Sequence, residues 1–204
     1  MAFEVAGAAA CLVLAVLVTQ GRLEATDFQI REWALSHNTP LSVLMWIKIS
    51  FMGSVAVLIS FTFLCLAYFA RLHEWSAFKT LSWAMGGAVI LDVVIKWGIH
   101  RPRPLEAYPG TMPTSFSFPS GHALYSLTFY GALAFILSWR HPQIDQRYFW
   151  IVAVAVATVI GTSRIYLGVH YASDVLGGFL ISATWLTIVL SYHSNKGLTA
   201  INKL

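Results

Sequence analysis

Six stretches of this chain, near residues 3–19, 50–70, 77–99, 119–139, 148–165 and 175–192, are apolar over the length needed to cross a lipid bilayer. A hydrocarbon core about 30 Å thick takes roughly 20 mostly apolar residues of helix, and inside it every backbone N–H and C=O must be satisfied within the segment itself. The expected fold is therefore all-α: a polytopic membrane protein with about six transmembrane helices, residues 1–204 forming one domain. With 57% hydrophobic and 11% charged residues, the chain is too apolar for an ordinary soluble domain. Glu4 stands where a signal peptide would begin basic, and no small-residue cleavage site follows the first run, so that run is read as a retained span. The net charge of +4 is small and the cations are scattered, which excludes the continuous basic stripe that nucleic acid requires. Cys11 and Cys65 lie inside apolar runs and read as small hydrophobes rather than as a disulfide.

Between the first two runs, Gln20 to Pro40 is polar and Leu41 to Ile47 apolar. This region is expected to lie along the membrane surface, where Trp33, Trp46 and Lys48 suit headgroup depth. With the N-terminus inside, the inner segments carry Arg71, Lys79, Arg140, Arg147, Lys196 and Lys203 against only Glu74 and Asp145, the distribution of the positive-inside rule. Lys96, Arg101, Arg103 and Arg164 then fall on the outer side and need another explanation.

Those outer segments carry chemistry. The third run ends in Lys96, followed by Arg103-Pro104; the fourth opens with Pro119-Ser120-Gly121-His122; the fifth ends in Ser163-Arg164, with His170 and Asp174 beyond it. Lys96, Arg103 and Arg164 supply point-like and forked donors for the oxygens of one phosphoryl group. Pro119 presets a helix start whose amides at Ser120, Gly121 and His122 are expected to face an anion, with the serine hydroxyl as a further donor and Gly121 allowing close approach. A neutral His170 oriented by Asp174 can attack phosphorus, and His122 can protonate the leaving oxygen and later activate water. The outer loops at the site offer only Glu106 and Asp174 as acids, too few for a metal cluster, so cations and backbone dipoles are expected to replace a metal, and no cofactor is called for.

Each residue also has a plain reading: a snorkelling lysine, an interface arginine, a helix start, or an Asp174 that merely caps the sixth span. None of these explains why all of them return to one face. Asp92, one turn before Lys96, is expected to pair with it and to support the site from behind, together with Pro104, Pro119 and Ser163. Arg101, Pro102, Glu106 and Tyr108 are read as shaping the outer loop, and Tyr166 and Tyr171 as interface anchors. Gly86-Gly87 and Gly177-Gly178 read as helix contacts.

Lys96 with Arg103-Pro104, then Pro119-Ser120-Gly121-His122, then Ser163-Arg164 with His170 and Asp174, together resemble the three signature blocks of the type 2 phosphatidic acid phosphatase superfamily. The blocks run from 96 to 174. The resemblance implies metal-independent dephosphorylation through a phosphohistidine, with His170 as nucleophile, Asp174 as its partner and His122 as acid. It also implies that Lys96, Arg103, Ser120, Gly121 and Arg164 hold the phosphate. The expected substrate is a membrane lipid phosphate or pyrophosphate, such as undecaprenyl pyrophosphate, phosphatidylglycerol phosphate or phosphatidic acid, reached from the outer face of a bacterial inner membrane. Alternatives are a lipid phosphotransferase, a lipid A phosphatase, or a binder or transporter of lipid phosphates that lacks turnover. The sequence does not specify an oligomeric state.

Overall fold

The computed structural model describes residues 2–104 and 115–201, with side chains from 3 to 104 and from 115 to 192. Among the described residues the regular structure is helical: α1 (Ala2–Thr19), α2 (Glu24–Ser36), α3 (Pro40–Met52), α4 (Val55–Arg71), α5 (Trp75–Ile99), α6 (Gly121–Arg140), α7 (Gln146–Tyr166) and α8 (Ala172–Ile201). Five helical stretches are long and apolar enough to cross a membrane, and there are up to six if α1 and α2, which meet at 87°, form one broken span.

The region read as a surface segment divides in two. Helix α2 turns sharply away from α1 and exposes Phe28, Ile30 and Trp33 beside Glu24, Gln29 and Glu32, while Asp27, Arg31 and Ala34 are buried. An exposed surface of apolar, aromatic and charged residues together suits a helix at the membrane interface. Leu41–Ile47 instead belongs to α3, which continues through a short break into α4 as one 32-residue stretch. This corrects the surface reading of that run. The reason is local: Thr39 and Ser42 form a reciprocal capping box with Pro40 in the first turn, so a helix starts there. Ser54 re-caps the chain after Gly53, so the apolar run resumes as helix. At 1.5 Å per residue the stretch is about 48 Å long, more than a bilayer core, so it must tilt, bend at its break or project beyond the core.

Helix α6 is the central post, packed by α5, α7 and α8, with α1 on the outer side of α8. Leu81, Ala84, Ala88, Leu124, Phe129, Ile136 and Leu186 form the largest core. Small residues allow close approach, as expected where lipid offers no hydrophobic drive between helices. Gly87 receives the Trp185 ring, whereas Gly86 faces open space, so only the second of that pair is a contact. Polar links are few: Thr128 and Ser182 join α6 to α8 at 2.8 Å, and Trp185 Nε1 donates to Ala84 O at 2.9 Å. Up-and-down connectivity gathers residues 100–104, 115–120 and 167–171 at one end of the bundle. Asn38 joins them there, donating to Tyr166 O at 2.7 Å.

Candidate active site

Four helix ends, those of α5, α6, α7 and α8, converge at this end of the bundle. Lys96 occupies the last turn of α5, and its Nζ donates to both oxygens of Asp92 at 2.8 Å, the expected i, i+4 pair. Tyr125 Oη donates to the same carboxylate at 2.8 Å. Buried Asp92 is thus compensated by a cation and a hydroxyl, which a carboxylate in a span requires. A Cβ added at Gly121 would lie 3.4 Å from Lys96 Nζ, so the ammonium sits over the start of α6.

That start is entered through a cis Phe118–Pro119 peptide bond, and Ser120 is the N-cap. The Ser120 amide donates to Asp174 O at 2.9 Å. It is therefore unavailable to an anion, correcting the expectation that three successive amides face one; the amides of Gly121 and His122 remain as orphan donors of the first turn. Gly177 and Gly178 make the junction compact. A Cβ at 177 would lie 2.5 Å from Phe118, and one at 178 would lie 2.6 Å from Ser120 O. His122 packs against the α3–α4 break, its Cδ2 being 3.4 Å from where a Cβ of Gly53 would be.

His170 and Asp174 lie at the start of α8. Asp174 Oδ2 accepts from His170 Nδ1 at 3.3 Å, from the Tyr171 amide at 2.9 Å and from the Ser117 hydroxyl. The Tyr171 bond is the return half of a capping box, so capping and facing the histidine are one geometry. With Nδ1–H directed at the carboxylate, Nε2 carries the lone pair. Burial pushes the His170 imidazole down to about 4, with Asp174 opposing and Arg103 and Arg164 assisting. His170 is therefore neutral at pH 7, the form a nucleophile needs.

Arg103 faces that nitrogen. Its Nη1 lies 3.0 Å from His170 Nε2 and also donates to Val169 O at 2.9 Å, while Nε and Nη2 donate to Ser115 and to Phe116 O. Burial lowers its pKa, against the pull of Asp174 and Asp92. Arg164, 5% exposed, donates through Nη1 to Ser50 Oγ of α3. Its Nε and the hydroxyl of fully buried Ser120 lack any hydrogen-bond partner. Two orphaned buried donors cost several kcal/mol between them, and each is free to donate to an anion's oxygen. Among the described residues no three His, Cys, Asp or Glu side chains are grouped to ligate a metal.

Residues 77–198 match the PAP2 superfamily. The chain belongs to that superfamily. It is 29% identical to phosphatidylglycerophosphatase B of Bacillus subtilis over 185 residues, covering 89% of this chain and 90% of that protein. It is 32% identical to the undecaprenyl-diphosphatase of Sulfolobus acidocaldarius over 107 residues, 50% of this chain and 48% of the other. The crystal structure of the transmembrane PAP2-type phosphatidylglycerolphosphate phosphatase from Bacillus subtilis superposes with a TM-score of 0.88 at 28% identity, covering 96% of this chain and 98% of that one. Like that structure, this PAP2 chain is an integral membrane protein of several helices.

Within the PAP2 end of the bundle the structure brings together Lys96, Arg103, Ser120, Gly121, His122, Arg164, His170 and Asp174. Pro104 and Pro119 shape the two arms of the intervening loop. Ser163 turns inward, donating to Ile160 O at 2.6 Å within its own helix, so its hydroxyl is not part of the cluster. Glu106 and Tyr108 lie outside the described residues. Tyr166 stacks on Trp46 at 4.6 Å between centroids, and Tyr171 lies 4.3 Å under the Arg101 guanidinium. Sequence reasoning missed Ser50, Ser117 and Asp27 and gave Arg101 only a shaping role. The one available signal was on α2, where charges at 27 and 31 share a face with Ala34 opposite an apolar Phe28 and Trp33.

Proposed function

We propose that this PAP2 enzyme removes the terminal phosphate from a membrane lipid phosphate or pyrophosphate by a metal-independent, phosphohistidine route. The observation that carries this is the pair of orphaned buried donors, Arg164 Nε and Ser120 Oγ, together with a His170 whose Nδ1 faces Asp174 and whose Nε2 faces Arg103. In the first step His170 Nε2 bonds to phosphorus as the bond to the lipid oxygen breaks. His122 gives its proton to that oxygen, which leaves as the lipid alcohol or, from a pyrophosphate, as the lipid monophosphate. Asp174 holds Nδ1–H and offsets the imidazolium charge that develops. Arg103 turns Nη1 from His170 to a phosphoryl oxygen, and Lys96, Arg164, Ser120 and the first amides of α6 bind the others. In the second step water attacks phosphorus, His122 takes its proton, and the P–N bond breaks to release inorganic phosphate.

The names of the relatives support phosphatidylglycerol phosphate and undecaprenyl pyrophosphate as substrates, and phosphatidic acid is a third drawn from the family resemblance. The distribution of basic residues supports an outer-facing site; the membrane is read as a bacterial inner membrane, and the chain as one domain with its chemistry between 96 and 174. The test is phosphate release from these three lipids by purified protein in nanodiscs, wild type beside His170→Ala. Loss of turnover by at least 1,000-fold is expected on the scale of removing a nucleophile. Hydrolysis at near wild-type rate in H170A refutes the nucleophile, and phosphate appearing on a second lipid in place of free phosphate refutes hydrolysis.

A further inference from the structure

Helix α2 buries Asp27 and Arg31 while exposing Phe28 and Trp33, and the deeper of the two buried charges is Asp27, 2% exposed. A carboxylate is buried at this depth only when its oxygens are fully engaged, and those of Asp27 are. Oδ1 accepts from the Ser173 amide at 2.9 Å, and Oδ2 accepts from Arg101 Nη2 at 2.8 Å and from the Ser173 hydroxyl. The same Arg101 reaches the other way. Its Nη1 donates to Asp174 Oδ1 at 2.6 Å and to Ser173 Oγ at 2.7 Å. One guanidinium therefore bridges two buried carboxylates, one on α2 and one on α8, with the Tyr171 ring fixing its plane from below.

The division of the fork matters for the carboxylate at the histidine. Left with a single carboxylate, a guanidinium frequently takes both oxygens in a bidentate pair. Here Asp27 draws Nη2 away, so Arg101 engages only Oδ1 of Asp174, and Oδ2 is left to His170 Nδ1, the Tyr171 amide and Ser117. We propose that Asp27 is a positioning residue for phosphoryl transfer, acting through Arg101 to keep Asp174 Oδ2 directed at His170 Nδ1. The proposal rests on the phosphohistidine reading above. It gives α2 a second role, because the helix at the membrane interface also sets the orientation of the nucleophile, across 146 positions of sequence between Asp27 and Ser173.

The experiment uses the full chain in lipid nanodiscs with phosphatidylglycerol phosphate as probe. Asp27→Asn keeps the size and one acceptor but removes the charge that holds Nη2. Its kcat is expected to fall on the order of 100-fold, as for a small misplacement of reacting groups, with KM within threefold of wild type. The single-turnover rate constant for phosphohistidine formation, which an unfolded fraction does not alter, is expected to fall by the same factor. Arg101→Lys, which keeps the cation but loses the fork, is expected to match it, and the double variant to fall no further than the worse single one. A folded D27N with wild-type kcat overturns the proposal, as does a rise in KM alone or a double variant that loses the product of the two single effects. Should D27N fail to fold, R101K and Ser173→Ala carry the test, the latter keeping every charge and removing only the hydroxyl between Arg101 and Asp27. Near wild-type kcat in both overturns it equally. If the wild type releases no phosphate from this probe, from undecaprenyl pyrophosphate or from phosphatidic acid, the failure belongs to the proposed function instead.

Discussion

Adding one methyl group at Gly178 is expected to separate the proposed phosphate cradle from the proposed nucleophile. A Cβ there would lie 2.6 Å from the Ser120 carbonyl oxygen, 2.9 Å from Ala123 Cβ and 3.0 Å from the Leu124 amide nitrogen, where ordinary contact begins at 3.4 Å. Two of these three atoms are backbone and have no rotamer to escape into. The shortfall against Ser120 is about 0.8 Å, so the start of α6 must move by that order relative to α8. Ser120, Gly121 and His122 travel with α6, while Asp174 and the neighbouring His170 stay with α8. A misplacement of about 1 Å between reacting groups costs on the order of 100-fold in rate, roughly 2.7 kcal/mol of barrier, and overpacking costs about 1–3 kcal/mol in stability. Gly86→Ala is the matched control, since nothing lies within 4 Å of a Cβ there and alanine is favoured over glycine in a helix by roughly 1 kcal/mol. The assay is phosphate release in nanodiscs, with melting temperature measured alongside. Gly178→Ala turning over within threefold of wild type would refute the view that the α6 start and the α8 start must hold this spacing.

Two further outcomes concern the chemistry directly. Chelators are expected to leave turnover unchanged, and vanadate, a phosphoryl mimic, to inhibit; loss of activity in EDTA restored by magnesium would rule out a cradle made only of cations and amides. Because burial holds the His170 imidazole near 4, its neutral form should persist as pH falls through 6.5, and protonation should remove the Nε2 lone pair only as pH approaches 4. With 15N-labelled histidine in the free protein, the neutral His170 pattern is expected at pH 5.5. An imidazolium already dominant at pH 6 would contradict this.

The spans and the three signature blocks were legible because both are local. Apolar length sets a bilayer span, and the blocks lie at the ends of α5, α6 and α7, where helix length alone brings them to one end of the bundle. What escaped depends on contacts without a sequence period. Ser50 is a single hydroxyl in an apolar run, and nothing in the chain marks it as the partner of Arg164, 114 positions on. Asp27 sits among ordinary polar neighbours. Its burial follows only from the 87° turn between α1 and α2, which lays that face over Arg101 and Ser173. The helix start at Pro40 was readable from Thr39-Pro40 and Ser42. It was overridden by hydropathy, which set the span at residue 50 and assigned the preceding apolar residues to the surface. The Ser120 amide was miscounted for a different reason: an N-cap amide is free only if no tertiary acceptor reaches it, and Asp174 O does.

The contact between Arg103 Nη1 and His170 Nε2 has a bearing on selectivity. In the proposed mechanism the arginine that covers the Nε2 lone pair is the one assigned to a phosphoryl oxygen, so the proposed nucleophile would be masked by its own substrate receptor. On that reading only a ligand that offers oxygens to Arg103 would draw it aside and uncover the nitrogen. A lipid lacking a phosphate would leave the mask in place, and recognition and activation would become a single displacement.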